Sequence, residues 1–228
     1  MGGGLATMPL GCINKSKINK GIKMKKILLL SLALFIVTFL YGCAVSKATL
    51  NSYVDPNISN EQLTNIAIFP IRNAKFAPSE SQQINRKISM YINQKNSQIK
   101  IMSSNEAINK LNENDLASTW AVFLDNYSSS GVPDKNVLYD VGQLLGIDAI
   151  IQGEIVNVFQ QDGAYGINKG TTRVTVRFSM LSTNSGKLLW EASSDGIKGT
   201  PTTLESAPPI IEAVDLAIDK ILSNLPLK

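Results

Sequence analysis

Hydrophobic positions change their period twice along the chain, and those changes mark out its elements. Thr64 to Ile71 (TNIAIFPI) is a short isoleucine-rich run, which predicts a strand buried on both faces, with Pro70 at its end. From Pro78 the spacing becomes helical: Ile84, Ile88 and Tyr91 or Ile92 form one apolar stripe. Gln98 to Met102 reads as a second short strand. Ser103 with Glu106 three residues later is a capping-box signature, opening a helix that carries Ala107, Ile108 and Leu111. Leu116, Trp120, Phe123, Leu124 and Tyr127 predict another helix, broken by the run from Ser128 to Pro133. Pro133 and Asp134 open a further helix with Val137, Leu138, Val141, Leu144 and Leu145 inward and Gly146 as its cap.

Beyond Asp148 the period falls to two. Asp148 to Phe159 reads as a strand, followed by a glycine-rich turn over 160–170. Thr172 to Leu181 alternates cleanly: Val174, Val176, Phe178 and Met180 face one way, and Arg173, Thr175, Arg177 and Ser179 the other. Asn184-Ser185-Gly186 is a hairpin turn, and Lys187 to Ala192 returns with Leu188 and Trp190 inward. Pro208-Pro209 opens a last helix with Ile210, Ile211, Val214, Ala217, Ile218 and Ile221 on its apolar face. The order βαβααα, βββ, α predicts a single α/β domain over 63–228, with a mixed sheet, a three-strand antiparallel meander and packed helices. Residues 43–62, polar with Pro56 and several Asn and Ser, read as a tether.

Charge changes the reading of the N-terminus. The 228 residues carry 22 basic and 18 acidic side chains, a net of +4. Residues 1–42 hold Lys15, Lys17, Lys20, Lys23, Lys25 and Lys26 and no acid, which leaves 16 basic against 18 acidic residues beyond them. The basicity therefore belongs to the leader, and no basic stripe for nucleic acid remains. Met24-Lys25-Lys26 precedes the apolar run Ile27 to Leu40, and Tyr41, Gly42 and Cys43 follow. A positive segment, a short apolar run and a small residue before a cut describe a signal peptide, for which Met24 is the expected true start. Cys12 has no apolar run before it and reads as chance.

Leu40-Tyr41-Gly42-Cys43 resembles the lipobox of bacterial lipoproteins. The resemblance implies a diacylglycerol on the Cys43 thiol, cleavage before it, and an N-acyl chain on the new terminus. Two or more acyl chains make a lasting anchor. Ala44 rather than Asp after the cysteine implies the periplasmic face of the outer membrane, by the sorting rule of enteric bacteria.

Catalytic and cofactor chemistry finds little to stand on. There is no histidine, which excludes a His base, a His metal ligand and a Ser-His-Asp triad; two cysteines are too few for a Cys-based zinc site. Gly163 to Gly170 is neither a dinucleotide fingerprint nor a phosphate loop, and it lies between strands. Ser97-Gln-Ile-Lys100 has the S-x-x-K spacing of penicillin-reactive enzymes but lacks their companion motifs. Asp140, Asp148 and Glu154 read as solvated surface, and Trp120 and Trp190 as core. Arg173 and Arg177, with Tyr165 and Lys169 of the glycine-rich loop, are the candidate partner contacts; the arginine pair suits an acidic partner. No metal and no cofactor is expected beyond the acyl groups.

Three further segments resemble one broad superfamily of bacterial outer-membrane lipoproteins: Ile66 to Ile71, Val141 to Gly153, and Thr175 to Ala192 with its Thr-Asn-Ser-Gly-Lys-Leu-Leu-Trp-Glu core. Its members include the curli-secretion channel lipoprotein, the penicillin-binding-protein activator lipoproteins and neisserial-type surface lipoproteins. The resemblance implies a fold like the N-terminal domain of the periplasmic TolB protein. It implies no enzymatic activity, but contact with envelope proteins such as a peptidoglycan synthase or another lipoprotein, or a homo-oligomer. The expected function is a lipid-anchored periplasmic binding or assembly module. A subunit of an export channel or export complex is the alternative, and an enzyme acting on peptidoglycan is least favoured.

Overall fold

In the computed structural model the described residues are 44–72 and 76–227, and they belong to one α/β unit. The leader, the lipobox Leu40-Tyr41-Gly42 and Cys43 lie outside them. Seven strands form one mixed sheet: β1 (Ser46–Ala48), β2 (Asn51–Val54), β3 (Asn65–Ile68), β4 (Lys100–Met102), β5 (Ala149–Gln161), β6 (Thr171–Ser182) and β7 (Leu188–Gly199). Among the described residues the five α-helices are α1 (Pro78–Lys95), α2 (Ser104–Glu113), α3 (Ala117–Ser130), α4 (Lys135–Leu145) and α5 (Ile210–Leu222). The sheet order is β1-β7-β6-β5-β3-β4, with β2 also on β7. β3 runs parallel to both β4 and β5, and β5, β6 and β7 form the expected antiparallel meander.

The caps read from the sequence are in place. Ser103 Oγ accepts from the Glu106 N–H, and Asp134 Oδ1 accepts from the N–H groups of Asn136 and Val137. Gly146 closes α4 at φ +66°, a left-handed conformation that a side chain would strain. At α3 the structure departs from expectation. Ser128 to Ser130 continue the helix to a left-handed Gly131, with the hydroxyls of Ser129 and Ser130 turned back onto carbonyls of the preceding turn.

The two sheet faces carry separate cores. One face, through Ile66, Ile68, Ile151, Val174, Val176, Met180 and Trp190, packs against α1 and α5. The other, through Ala67, Phe69, Ile150 and Leu181, packs against α2, α3 and α4, where Phe69 meets Trp120 at a tilt and Trp120 stacks on Phe123. Both tryptophans are core residues, as expected. Leu188 and Trp190 do not share a face. β7 bulges opposite Met180/Leu181, so Leu188 joins the second core while Leu189 and Trp190 both join the first.

The expected tether is partly sheet. Ser46 to Ala48 pairs with Gly196 to Lys198, and Asn51 to Val54 pairs with Trp190 to Ser193, both antiparallel. The domain therefore begins within three residues of Cys43.

Candidate functional site

The helices of the second face reach only part of the sheet. α2, α3 and α4 lie over β3 and the neighbouring ends of β5 and β6. The rest of that face, built by β2, β7, β6 and the outer half of β5, has no helix over it among the described residues. Cross-strand register sets what it displays. Arg173 stands between Phe159 and Ile197, Thr175 between Asn157 and Asp195, and Arg177 between Glu154 and Ser193. Tyr53 lies opposite Glu191 on the far side. Tyr53 and Phe159 are about half exposed, at 48% and 51%.

Arg173 and Arg177 share this face, as the alternation predicts, but they are not a matched cationic pair. Arg173 is exposed. Arg177 Nη2 donates to Glu154 Oε2 at 2.6 Å, and Glu154 also accepts from Ser128 Oγ at 3.1 Å. Burial opposes the Arg177 charge. The Glu154 hydrogen bond and charge, with Glu191, outweigh it and hold the guanidinium above its ordinary value. Glu154, expected on the solvated surface, is thus an internal counter-ion with a side chain only 15% exposed. Asp148 is likewise structural: one carboxylate oxygen accepts from the Thr64 N–H, the Thr64 hydroxyl and the Asn65 N–H.

Around this pair several polar groups are closed on one another. Thr175 Oγ1 donates to Asp195 at 2.6 Å and Ser179 Oγ to Glu191 at 3.1 Å. Arg72 reaches both the Leu124 carbonyl and Asp125. Burial pushes the Tyr127 phenol up, and the Glu191 and Glu154 charges add to it against the Ser179 hydrogen bond and the Arg177 charge. The cavity that Arg72, Tyr127, Glu154, Arg177 and Ser179 line measures about 20 Å³, room for a single water and not for a substrate. Among the described residues no group of three or more Cys, Asp or Glu is placed to hold a metal ion.

Tyr165 and Lys169 lie elsewhere. Their loop runs past the end of β5 and β6, and Tyr165 is 83% exposed at its tip while Lys169 is half-buried. The structure does not bring them to Arg177. The loop is also not free-standing. Gly163 N–H donates to the Glu205 carbonyl, Gly166 N–H to Thr203 Oγ1 and Thr200 N–H to the Gly170 carbonyl. A Cβ at Gly163 or Gly170 would come within 2.7 Å of backbone oxygens of 203 or 205, so both glycines are required by close approach.

Sequence reasoning missed Glu154, Tyr127, Arg72 and the aromatic flanks Tyr53 and Phe159. The partners of the first three are set by register and by helix placement across long sequence separations, and no spacing in the chain announces them.

No protein-family model matches the chain, and no curated protein matches it. Solved structures do align with it. One is the PelC dodecamer from Paraburkholderia phytofirmans, 12% identical over 80% of this chain and 99% of that one, TM-score 0.47. Another is lipoprotein GNA1162 from Neisseria meningitidis, 15% identical over 71% and 99%, TM-score 0.42. A third is the LpoB C-terminal domain from Salmonella enterica, 9% identical over 61% and 92%, TM-score 0.36. At such identities none of them sets a function for this chain. Among the described residues no helix is long and apolar enough to cross a membrane.

Proposed function

We propose that this chain is a lipid-anchored contact module of a bacterial envelope, held by acyl groups on Cys43 and acting by binding a partner protein on its uncovered sheet face. The observation that carries the reading is the state of that face. Three polar pairs on it are already closed internally, Arg177 with Glu154, Thr175 with Asp195 and Ser179 with Glu191. Covering such groups leaves few hydrogen bonds to replace, which lowers the desolvation cost of docking. The aromatic flanks Tyr53 and Phe159 supply the apolar area that anchors interfaces.

The outer half of β5 adds a second element. β3 pairs with β5 only as far as Ile151, and Arg72 extends the contact to Glu154 and Ile155. From Val156 to Gln161 no described strand lies on that side, which leaves an edge to which an extended segment can add. The face has mixed sign, with Arg173 in no ion pair among the described residues and Glu191 and Asp195 on the next strand. It suits a partner of mixed polarity better than a strongly acidic one.

Photo-crosslinkers at positions 53 and 159 in intact envelopes test this. The expected result is one discrete product at both positions, diminished by Arg173→Glu. A product that contains only a second copy of this chain would make the module a homo-oligomer subunit. Absence of any product at either position overturns the docking face. The mass of the mature N-terminal peptide tests the anchor separately.

A further inference from the structure

The sheet has two ends, and the chain enters it at one of them. β1 runs antiparallel to β7, so its start lies beside the end of β7: the Gly199 N–H donates to the Val45 carbonyl at 2.8 Å. Two peptide links separate Val45 from Cys43, which keeps the two Cα atoms within about 8 Å of each other. At this same end the loop 162–170 joins β5 to β6, and 200–206 leaves β7. Three large apolar side chains are exposed there: Tyr165 at 83%, Ile167 at 84% and Leu204 at 72%, with Val45 beside the chain start at 53%. They sit on a braced structure, since the two loops are hydrogen-bonded to each other and pack backbone to backbone at Gly163 and Gly170.

We infer that Tyr165, Ile167 and Leu204 form a membrane-contact platform that enters the headgroup region of the bilayer holding the acylated Cys43. The inference rests on the lipid-anchor reading, and the short connection selects the occupant. With only two residues between the anchor and β1, this end of the domain cannot stand far from the lipid surface. Exposed Ile and Leu side chains gain from that contact, and Tyr is suited to the interface by its apolar ring and polar tip. The platform would fix the tilt of the domain, so that the sheet stands away from the bilayer with its uncovered face turned to the side.

Nitroxide depth measurement on the mature protein, purified from membranes and reconstituted in phosphatidylethanolamine/phosphatidylglycerol vesicles, tests this. With Cys43 acylated, Ile167→Cys supplies a single free thiol. Asn184→Cys is the control, exposed at the opposite end of β6, roughly 40 Å away. The expected result is a label at 167 that is several-fold more accessible to oxygen, relative to a water-soluble nickel complex, than the label at 184. Equal accessibility at the two positions on acylated protein overturns the platform and leaves the anchor intact. A second nitroxide per chain, read by mass, shows a free Cys43 and overturns the anchor. If such unacylated protein still places residue 167 in lipid, the platform stands without it; if it does not bind the vesicles, both fail.

Discussion

Arg177 and Glu154 meet across β6 and β5 at 2.6 Å, with side chains 34% and 15% exposed. The pair sits where helix cover ends. Ser128 of α3 holds the carboxylate from one side, and beyond the guanidinium the face is open. It thus both closes the second core and borders the candidate docking face.

Removing one partner leaves the other half-buried and uncompensated. Glu154→Gln is expected to destabilise by about 1–2 kcal/mol, below the value for a fully buried pair because Arg177 retains solvent. Arg177→Met should cost about the same, and the double variant less than the sum of the two. Urea unfolding of the four proteins measures this coupling. Strictly additive losses would show that the two side chains do not support one another.

Two partly buried groups, Lys87 and Tyr127, place the pH sensitivity on the alkaline side. Lys87 of α1 lies 3.2 Å from Asp215 and 2.8 Å from Asp219 of α5. Burial opposes its charge, but the two carboxylates raise it above 10.5. Tyr127 is raised above 10.0 by burial. Groups that hold their protons more tightly when folded contribute fully below the unfolded value and lose that contribution as pH rises through the folded one. Stability is therefore expected to hold to about pH 10 and then fall. Lys87→Met should flatten the fall, and Tyr127→Phe should remove a late-ionising phenol from the absorbance titration near 295 nm. A midpoint unchanged up to pH 11 would contradict both assignments.

Gly196 of β7 lies directly beneath α5. A Cβ there would overlap the Ala213 carbonyl oxygen, and it would also press on the backbone at Ala217. Backbone cannot yield as a flexible side chain can, so α5 must lift from the sheet. Gly196→Ala is expected to cost about 3 kcal/mol, the upper end of the overpacking range. Gly131→Ala is the contrast, since nothing lies within 4 Å of that site and only its positive φ of 70° resists the side chain. It should cost about 1 kcal/mol. Denaturant midpoints at constant m separate the two.

What could be read from the chain follows a physical division. α4 was legible throughout because Asp134, the spaced apolar residues and Gly146 each act within one helical turn. β6 was legible because apolar and polar side chains alternate cleanly from Arg173 to Met180. The Glu154–Arg177 pair was not, since it depends on register between strands and on where α3 ends. The bulge at Leu189 has no local signature and moved Leu188 to the opposite core. β1 and β2 escaped for a different reason: most of their residues are exposed on both faces, so neither alternation nor apolar content marks them. Their place is set by backbone hydrogen bonds to β7, which sequence patterning does not show.

Those two strands give the remaining prediction. If 46–54 were a tether, its amides would exchange at the rate of free chain and proteases would cut it first. In the structure Thr49 N–H donates to the Asp195 carbonyl and Asp55 N–H to the Leu189 carbonyl, so the segment is stitched to β7 at its turn and at its end. Slow exchange is expected at both amides and at Lys47, Asn51 and Tyr53, whose N–H groups the same register turns toward β7, with limited proteolysis sparing 46–54. Tyr53→Pro removes an N–H that the register turns toward β7, and protection of Asn51 and Asp55 should then collapse while α4 and β6 remain protected. This loss would also lengthen the slack between Cys43 and the sheet. Free-chain exchange across 46–54 in the unaltered protein would restore the tether and remove the close tie between this end of the sheet and the anchor.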